Sequence, residues 1–407
     1  MFKVRIAVVL GLVALSGCVS LPRGGSRITF QDDVEFLRKH IDVVVLSDKT
    51  ALSQVAVAPS LQGRVMTSTA NGGSGDSYGW INRDLIASGE TVEHINVYGG
   101  EDRFWIGPEG GQFSIFFAKG VPFDLEHWFT PAPIDTEPFG LVSQDGRKLT
   151  LCKNMELKNY SGTEFSLRVD REVRVLEQSE IAKALGIEPT PEVRSVGFES
   201  RNSMMNSGTV PWSRETGLLS IWILGMFNPS PSTTVVVPFV PGDEKLLGPI
   251  VNDAYFGKVP AERLVVGDGV MYFSGDGQYR SKIGLLPQRA KPVVGSYDAQ
   301  QKVLTLVQYN KPNGTRDYVN SMWELQEEPY RGDVVNSYND GPPDPESEPL
   351  GPFYELETSS PAAKLGVGGS MTHIHRTIHL TGPEAALDPI ARKLLGVGIA
   401  DIKTALH

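Results

Sequence analysis

Phe353-Tyr354-Glu355-Leu356-Glu357-Thr358 and Thr372-His373-Ile374-His375-Arg376-Thr377-Ile378-His379-Leu380 are two runs near the C-terminus in which residue kinds alternate. Alternation with a period of two marks a β-strand, whose successive side chains point to opposite faces of a sheet. The first run therefore sets Phe353, Glu355 and Glu357 on one side and Tyr354 and Leu356 on the other. The second gathers His373, His375, Thr377 and His379 on one face, away from Ile374 and Ile378. Imidazole and a tuned carboxylate are the side chains that move protons near neutrality, so this grouping points to acid–base chemistry. A solvated outer strand face would carry the same residues without any chemistry.

Outward from these runs, strand-like segments split by Gly, Pro, Asn and Asp turns recur from about residue 64 to residue 380. That spacing predicts a mainly β protein of stacked antiparallel sheets, a large β-sandwich with a few peripheral helices. Strands are expected over 41–46, 53–58, 64–69, 263–273 and 302–308, and a strand buried on both faces over 218–227. Thr29 can cap a helix over 30–40, where Val34, Phe36, Leu37 and Ile41 form a partial apolar stripe and Asp32 and Asp33 favour the N-terminal end. Further helices are expected over 178–185, 384–395 and 399–406, the last two outside the sandwich. One domain spans 27–407 in this reading.

The first residues read as targeting rather than fold. Lys3 and Arg5 precede an apolar run over 6–15 that is too short to span a bilayer, and Leu15-Ser16-Gly17-Cys18 matches a bacterial lipobox. Residues 1–17 are then a signal peptide, Cys18 the lipidated residue and 18–26 a flexible tether. Val19 after the cysteine favours the outer membrane, placing the chain in the cell envelope on the periplasmic side. The composition, 40% hydrophobic and 21% charged over 407 residues, supports a large core. A net charge of −10 with no basic block argues against nucleic acid. With two cysteines, Cys18 and Cys152, no disulfide framework is expected.

Three further blocks carry chemistry. Gly99-Gly100-Glu101-Asp102-Arg103-Phe104-Trp105, running on to Glu109, combines glycines with acids, an arginine and a tryptophan. Sugars offer hydroxyls to carboxylates and apolar C–H faces to aromatic rings, so Glu101, Asp102, Arg103, Trp105 and Glu109 are candidate sugar contacts. Phe123-Asp124-Leu125-Glu126-His127-Trp128-Phe129 repeats the mixture and adds His127 and Trp128. The third block, 202–227, contributes Asn206, Trp212, Glu215 and Trp222, the last also readable as plain core. The glycine-rich 71–75 segment lacks the Lys and Ser/Thr of a phosphate loop and reads as a wide turn presenting Trp80 or Asn82 to a pocket rim. Residues 330–342 read as a polar loop without the ligand order of an EF-hand, so no metal and no cofactor are assigned.

Leu356-Glu357-Thr358, Pro361 and Gly368-Gly369-Ser370-Met371-Thr372-His373 resemble the C-terminal signature of the galactose mutarotase (aldose 1-epimerase) superfamily. That resemblance implies a galactose mutarotase-like supersandwich, with Glu357 as the base that takes the anomeric hydroxyl proton. The Gly99–Trp105, Ser220–Phe227 and Gly351–Thr358 blocks are similar to those of a family of bacterial lipoproteins grouped under a domain of unknown function. In mutarotases a histidine in the middle of the chain is the general acid, whereas no histidine lies between His127 and His373 here. The acid must then come from His127, His373, His375 or a carboxylate such as Glu215. A glycoside-cleaving variant would pair Glu357 with Glu101, Glu109 or Glu215. The expectation is a lipid-anchored, carbohydrate-binding or carbohydrate-active protein, Glu355 and His375 completing the sugar contacts. The alternative is a non-catalytic envelope binding or assembly protein.

Overall fold

The computed structural model describes residues 28–344 and 346–406, so the expected signal peptide (1–17), Cys18 and the whole of the expected tether (18–26) lie outside the described residues. The chain is mostly β, and every pairing between its strands is antiparallel. A ten-stranded sheet includes the long neighbours Lys148–Lys158, Glu164–Val175, Arg194–Asn206 and Ser370–Thr381. A five-stranded sheet runs Ser281–Leu285, Val335–Asn339, Tyr354–Ser359, Ser220–Phe227, Arg103–Gly107. A smaller sheet holds Val44–Ser47, Gln54–Ala58 and Arg64–Thr69.

Strand periodicity explains how the two larger sheets pack. In Glu164–Val175 the residues Phe165, Leu167, Val169, Arg171, Val173 and Val175 are buried and those between them are partly exposed. Their apolar members meet Phe104, Ile106, Ile221 and Ile223 from the five-stranded sheet in one cluster. Leu356, Val335 and Ile283 meet Val235, Phe273 and Val307 in a second. The outer face of the ten-stranded sheet is closed by helices: Leu387, Ile390, Leu395 and Ile402 pack with Ile181, Leu304, Leu306 and Ile378. These helices are Gln178–Leu185, Glu384–Leu395 and Ile399–Thr404, outside the sandwich as the sequence implies.

Local rules account for most boundaries. The first helix, Phe30–Arg38, has a capping box in which Thr29 and Asp32 satisfy each other's backbone N–H groups. The expected strand over 263–273 is instead a hairpin, Leu264–Val266 and Val270–Ser274, turned at Gly269 with φ +73°. Residues 330–342 were expected to form a loop, yet Val335–Asn339 is a buried strand between two others. Its Asn and Ser content misleads because one of its faces serves a polar cluster. The 71–75 segment does not present a pocket rim: Asn82 caps the helix Arg83–Ser88 and Trp80 is buried against Phe353 at 4.8 Å. The glycines at 99 and 100 serve the chain's own crowding rather than a ligand's approach. A Cβ would lie 2.1 Å from the Trp80 carbonyl oxygen at Gly99 and 2.7 Å from that of Val65 at Gly100.

Candidate active site on the outer face of the five-stranded sheet

Residues directly opposite each other in an antiparallel pair share a face, so the register of the five-stranded sheet assembles the site. Glu357 stands opposite Asn336 on one side and Leu224 on the other, and Leu224 stands opposite Arg103. One pair away, Glu355 lies opposite Tyr338, and Tyr338 opposite Lys282. In the other direction Trp222 lies opposite Ser359 and Trp105. Lys282, Glu355, Glu357, Trp222, Arg103 and Trp105, scattered over 255 residues of sequence or less, thus project from one face turned away from the sandwich core.

Glu357 is fully buried there. Its Oε2 accepts hydrogen bonds from the Trp222 indole at 2.9 Å and the Lys282 ammonium at 3.0 Å; its Oε1 meets no N–H or hydroxyl donor among the described residues, and the Glu355 carboxyl is its hydrogen-bonding neighbour. The ammonium also lies 4.8 Å from the Trp222 ring centre and 5.5 Å from that of Tyr255. Burial disfavours the Lys282 cation, but Glu357, Glu109 and Glu355 outweigh it and raise the lysine above its ordinary range. Burial, reinforced by the Glu357 charge, pushes the Glu355 carboxyl well above the carboxylate range. Half-buried Glu109 is pushed up to about 7 by burial and by Glu357, against the pull of Lys282. Burial likewise raises Asp333 to about 6, although Tyr255 and Asn252 donate hydrogen bonds to it at 2.6 and 3.2 Å. Carboxyls with separated affinities for protons thus surround one ammonium, the condition for an acid and a base to coexist at neutral pH.

Aromatic rings wall the site. Trp105 packs edge-on against Trp222 at 5.2 Å, with Phe116 at 5.2 Å, Trp128 at 6.5 Å and the Arg103 guanidinium at 4.4 Å. Trp323 stacks on Trp128 at 5.7 Å. The indole N–H groups of Trp105 and Trp128, the Ser220 hydroxyl and two nitrogens of Arg103 are buried without a protein partner. Such atoms are costly unless a water or a ligand meets them. The cavity among Gly107, Ser220, Trp222, Tyr255, Lys282 and Ser321 measures about 10 Å³, space for about one water molecule.

The family model described as "Family of unknown function (DUF6786)" matches residues 28–406. The chain belongs to the DUF6786 family. No curated protein matches the sequence. Among solved structures, a candidate aldose 1-epimerase from Escherichia coli K12 is 12% identical, with a TM-score of 0.49 over 84% of this chain and 99% of its own. A Synechocystis protein is 12% identical, with a TM-score of 0.46 over 84% of this chain and 96% of its own. A galactose mutarotase-like protein from Lactobacillus casei is 9% identical, with a TM-score of 0.43 over 83% of this chain and 100% of its own.

In this DUF6786 chain the expected partners of Glu357 separate into two groups. Glu355, Arg103, Trp105, Trp128, Trp222 and Glu109 gather around it, with Arg103 also paired to Asp135 at 2.7 Å. His373 and His375 do not. They share a face as the alternation requires, but that face is the interior between the sheets. Thr358, which follows Glu357 and so points the opposite way, places its hydroxyl 2.8 Å from His373 Nε2 and 2.9 Å from His375 Nδ1. The five-stranded sheet's backbone therefore separates both rings from Glu357, which removes them as its acid. His379 is 2.8 Å from Glu101, which also accepts from Ser68, so Glu101 belongs to the same interior.

The remaining expected contacts are corrected by their surroundings. Asp102 is buried against Arg171, and Asn206 donates to the carbonyls of Val210 and Leu365. Trp212 packs edge-on against Phe165 at 5.3 Å. His127 pairs with Asp124 at 2.6 Å at the surface, and Glu215 is exposed on the wall of a surface groove rather than beside Glu357. Sequence reasoning missed Lys282, Asn336, Asp333, Tyr255 and Trp323. Lys282 sits in Ser281–Leu285, a strand not among those expected, and its short alternation with Ile283 and Leu285 carries no sign that the lysine's face would be covered.

The interior histidines carry a prediction. Burial lowers His373 to about 3 and His375 to about 4, against about 6.5 when unfolded. The unfolded chain binds more protons in that window, so stability is full above about pH 6.5 and falls as pH drops toward 4. Urea midpoints measured between pH 7 and 4 should decline, and a His373→Gln/His375→Gln variant should show a shallower decline. An equal decline in both proteins would remove the histidines as its cause.

Proposed function

We propose that the outer face of the five-stranded sheet is a carbohydrate site, and that Glu357 acts there as a base on a sugar hydroxyl. The observation that carries the reading is the Glu357 carboxylate itself, positioned by Lys282 and Trp222 through one oxygen while the other meets no N–H or hydroxyl donor among the described residues. A free carboxylate oxygen accepts a hydroxyl proton, and the indoles of Trp105 and Trp128 offer N–H donors and apolar rings beside it. Glu109 is the acid in this reading. It lies near Lys282 and Glu357, retains its proton up to about pH 7, and its backbone is held by the Ser321 hydroxyl at 3.2 Å. Ring opening of an aldose needs this pairing: one group removes the anomeric hydroxyl proton while another protonates the ring oxygen as its bond to C1 breaks.

Polarimetry of freshly dissolved α-glucose and α-galactose tests the reaction; no acceleration over buffer by the wild-type protein would refute it. If the mutarotation proceeds, its rate should fall as pH rises through about 7, where Glu109 loses its proton. Glu109→Gln should lower the rate and abolish that limb; an unchanged limb would assign it to another group. A second reading, sugar binding without turnover, is favoured by the histidines lying on the other side of the sheet. It predicts calorimetric binding of a sugar whose anomers interconvert at the buffer rate.

Lipid anchoring at Cys18 and a place in the bacterial cell envelope, on the outer-membrane side, belong to the same proposal and rest on the lipobox sequence. Labelled palmitate should enter the wild-type protein and not Cys18→Ser; equal labelling of both would refute the anchor.

A further inference from the structure

We propose that the site takes the end of an oligosaccharide rather than a free monosaccharide, the rest of the glycan lying in a surface groove that leads to Asp333. This inference rests on the carbohydrate reading above. It comes from the way successive cavities share walls. The inner cavity beside Lys282 is bounded by Asp333 and Asn336. Asp333 also bounds a second hollow of about 240 Å³, with Asn252, Asn320, Met322 and Arg331. Arg331 and Leu286 in turn border a third of about 510 Å³, which continues past Tyr330, Arg316, Arg214 and Leu246 to the surface. The three hollows therefore lie in series between solvent and the acid cluster, a path interrupted by the side chains they share; the outermost reaches the volume of ligand pockets while the innermost holds about one water.

The lining suits a chain of sugar rings. Leu246, Leu247, Leu286 and Met322 offer apolar surface to C–H faces, while Gln288, Asn320 and the charged residues between them offer partners to hydroxyls. Arg214 lies over the Tyr330 ring at 4.4 Å, giving a flat cationic–aromatic wall. Charges of both signs line the groove, which fits a neutral polyhydroxylated chain better than a polyanion. Where the path narrows, Tyr255 and Asn252 both donate to Asp333 Oδ2 and Tyr255 accepts from Asn336 at 3.2 Å. Those bonds join residues 249–259 to the sheet across the mouth. Admitting a terminal ring requires them to part.

Isothermal titration calorimetry with the cello- and malto-oligosaccharide series, from glucose to the hexasaccharide, tests the inference on the soluble chain starting at residue 28. In at least one series affinity should rise by about 10-fold or more between monosaccharide and tetrasaccharide. Leu246→Asp and Arg316→Ala, both at the outer groove and away from the cores, should weaken the hexasaccharide about 10-fold more than glucose. Glucose bound as tightly as the hexasaccharide would overturn the groove while leaving the carbohydrate reading intact. Wild-type hexasaccharide affinity in both variants would do the same. No binding by any member of either series would overturn both.

Discussion

Glu357→Gln should lose about 10²- to 10⁴-fold of any mutarotation the wild type shows, because an amide cannot take the hydroxyl proton. The same change should also weaken the fold. Glu357 and the Lys282 ammonium meet at 3.0 Å, with side chains 0% and 10% exposed. Removing one partner of a buried pair leaves the other charge uncompensated, at about 3 to 5 kcal/mol. Lys282→Met alone should destabilise comparably, since Glu357 would keep the Trp222 hydrogen bond but face Glu355 and Glu109 without a cation. The double variant Glu357→Gln/Lys282→Met should recover much of the stability and none of the activity. Urea denaturation of the four proteins measures the coupling. Additive losses in the double variant would mean the two groups do not interact as the geometry states, and full activity in Glu357→Gln would end its role as base.

Arg171→Met should be the most damaging change away from the site. Arg171 lies in the buried register of Glu164–Val175, and its guanidinium ties that strand to residues that immediately precede strands of the other two sheets, Gly63 and Asp102. It donates to Asp102 at 2.6 Å, to Asn202 and to the Gly63 carbonyl at 3.2 Å, with both charged side chains fully buried. Methionine fills similar volume but strands the Asp102 carboxylate, again at about 3 to 5 kcal/mol. Arg171→Lys should rescue little, because one ammonium cannot reach the separate acceptors that a planar guanidinium spans. The Asp102→Asn/Arg171→Met double variant should regain part of the loss. A urea midpoint for Arg171→Met equal to wild type would show that the buried pair contributes no net stability.

Pairing strands in register decides which residues meet, and a single strand does not reveal its partners. Alternation in 353–358 correctly separated Glu357 from Tyr354 and Leu356, and alternation in 372–380 correctly joined the three histidines. Neither run says which face is the interior. His373 and His375 look like the polar face of a half-exposed strand, yet they are buried, because Thr358 from the facing sheet supplies the hydroxyl their rings need. Asp102 and Arg103 are neighbours in sequence and serve different places for the same reason. One points inward to Arg171 and the other outward to Asp135 and Trp105. Val335–Asn339 was hidden by its Asn and Ser content, whose polar side chains donate to the carbonyls of Ile283, Glu355 and Tyr279.

By itself, then, the sequence determined that this chain is an antiparallel β protein with helices outside it, where the helices starting at 30, 178, 384 and 399 begin, and that Glu357 leaves its strand on the side opposite Thr358. Those properties follow from local causes: period-two alternation, capping residues and glycine turns. The tertiary structure alone decided that Lys282, rather than a histidine, stands beside Glu357, and that Glu109 is the carboxyl tuned to about 7. A lysine or glutamate acquires such a role from neighbours distant in the chain and from the water they exclude, and both are set by the register and coverage of a sheet.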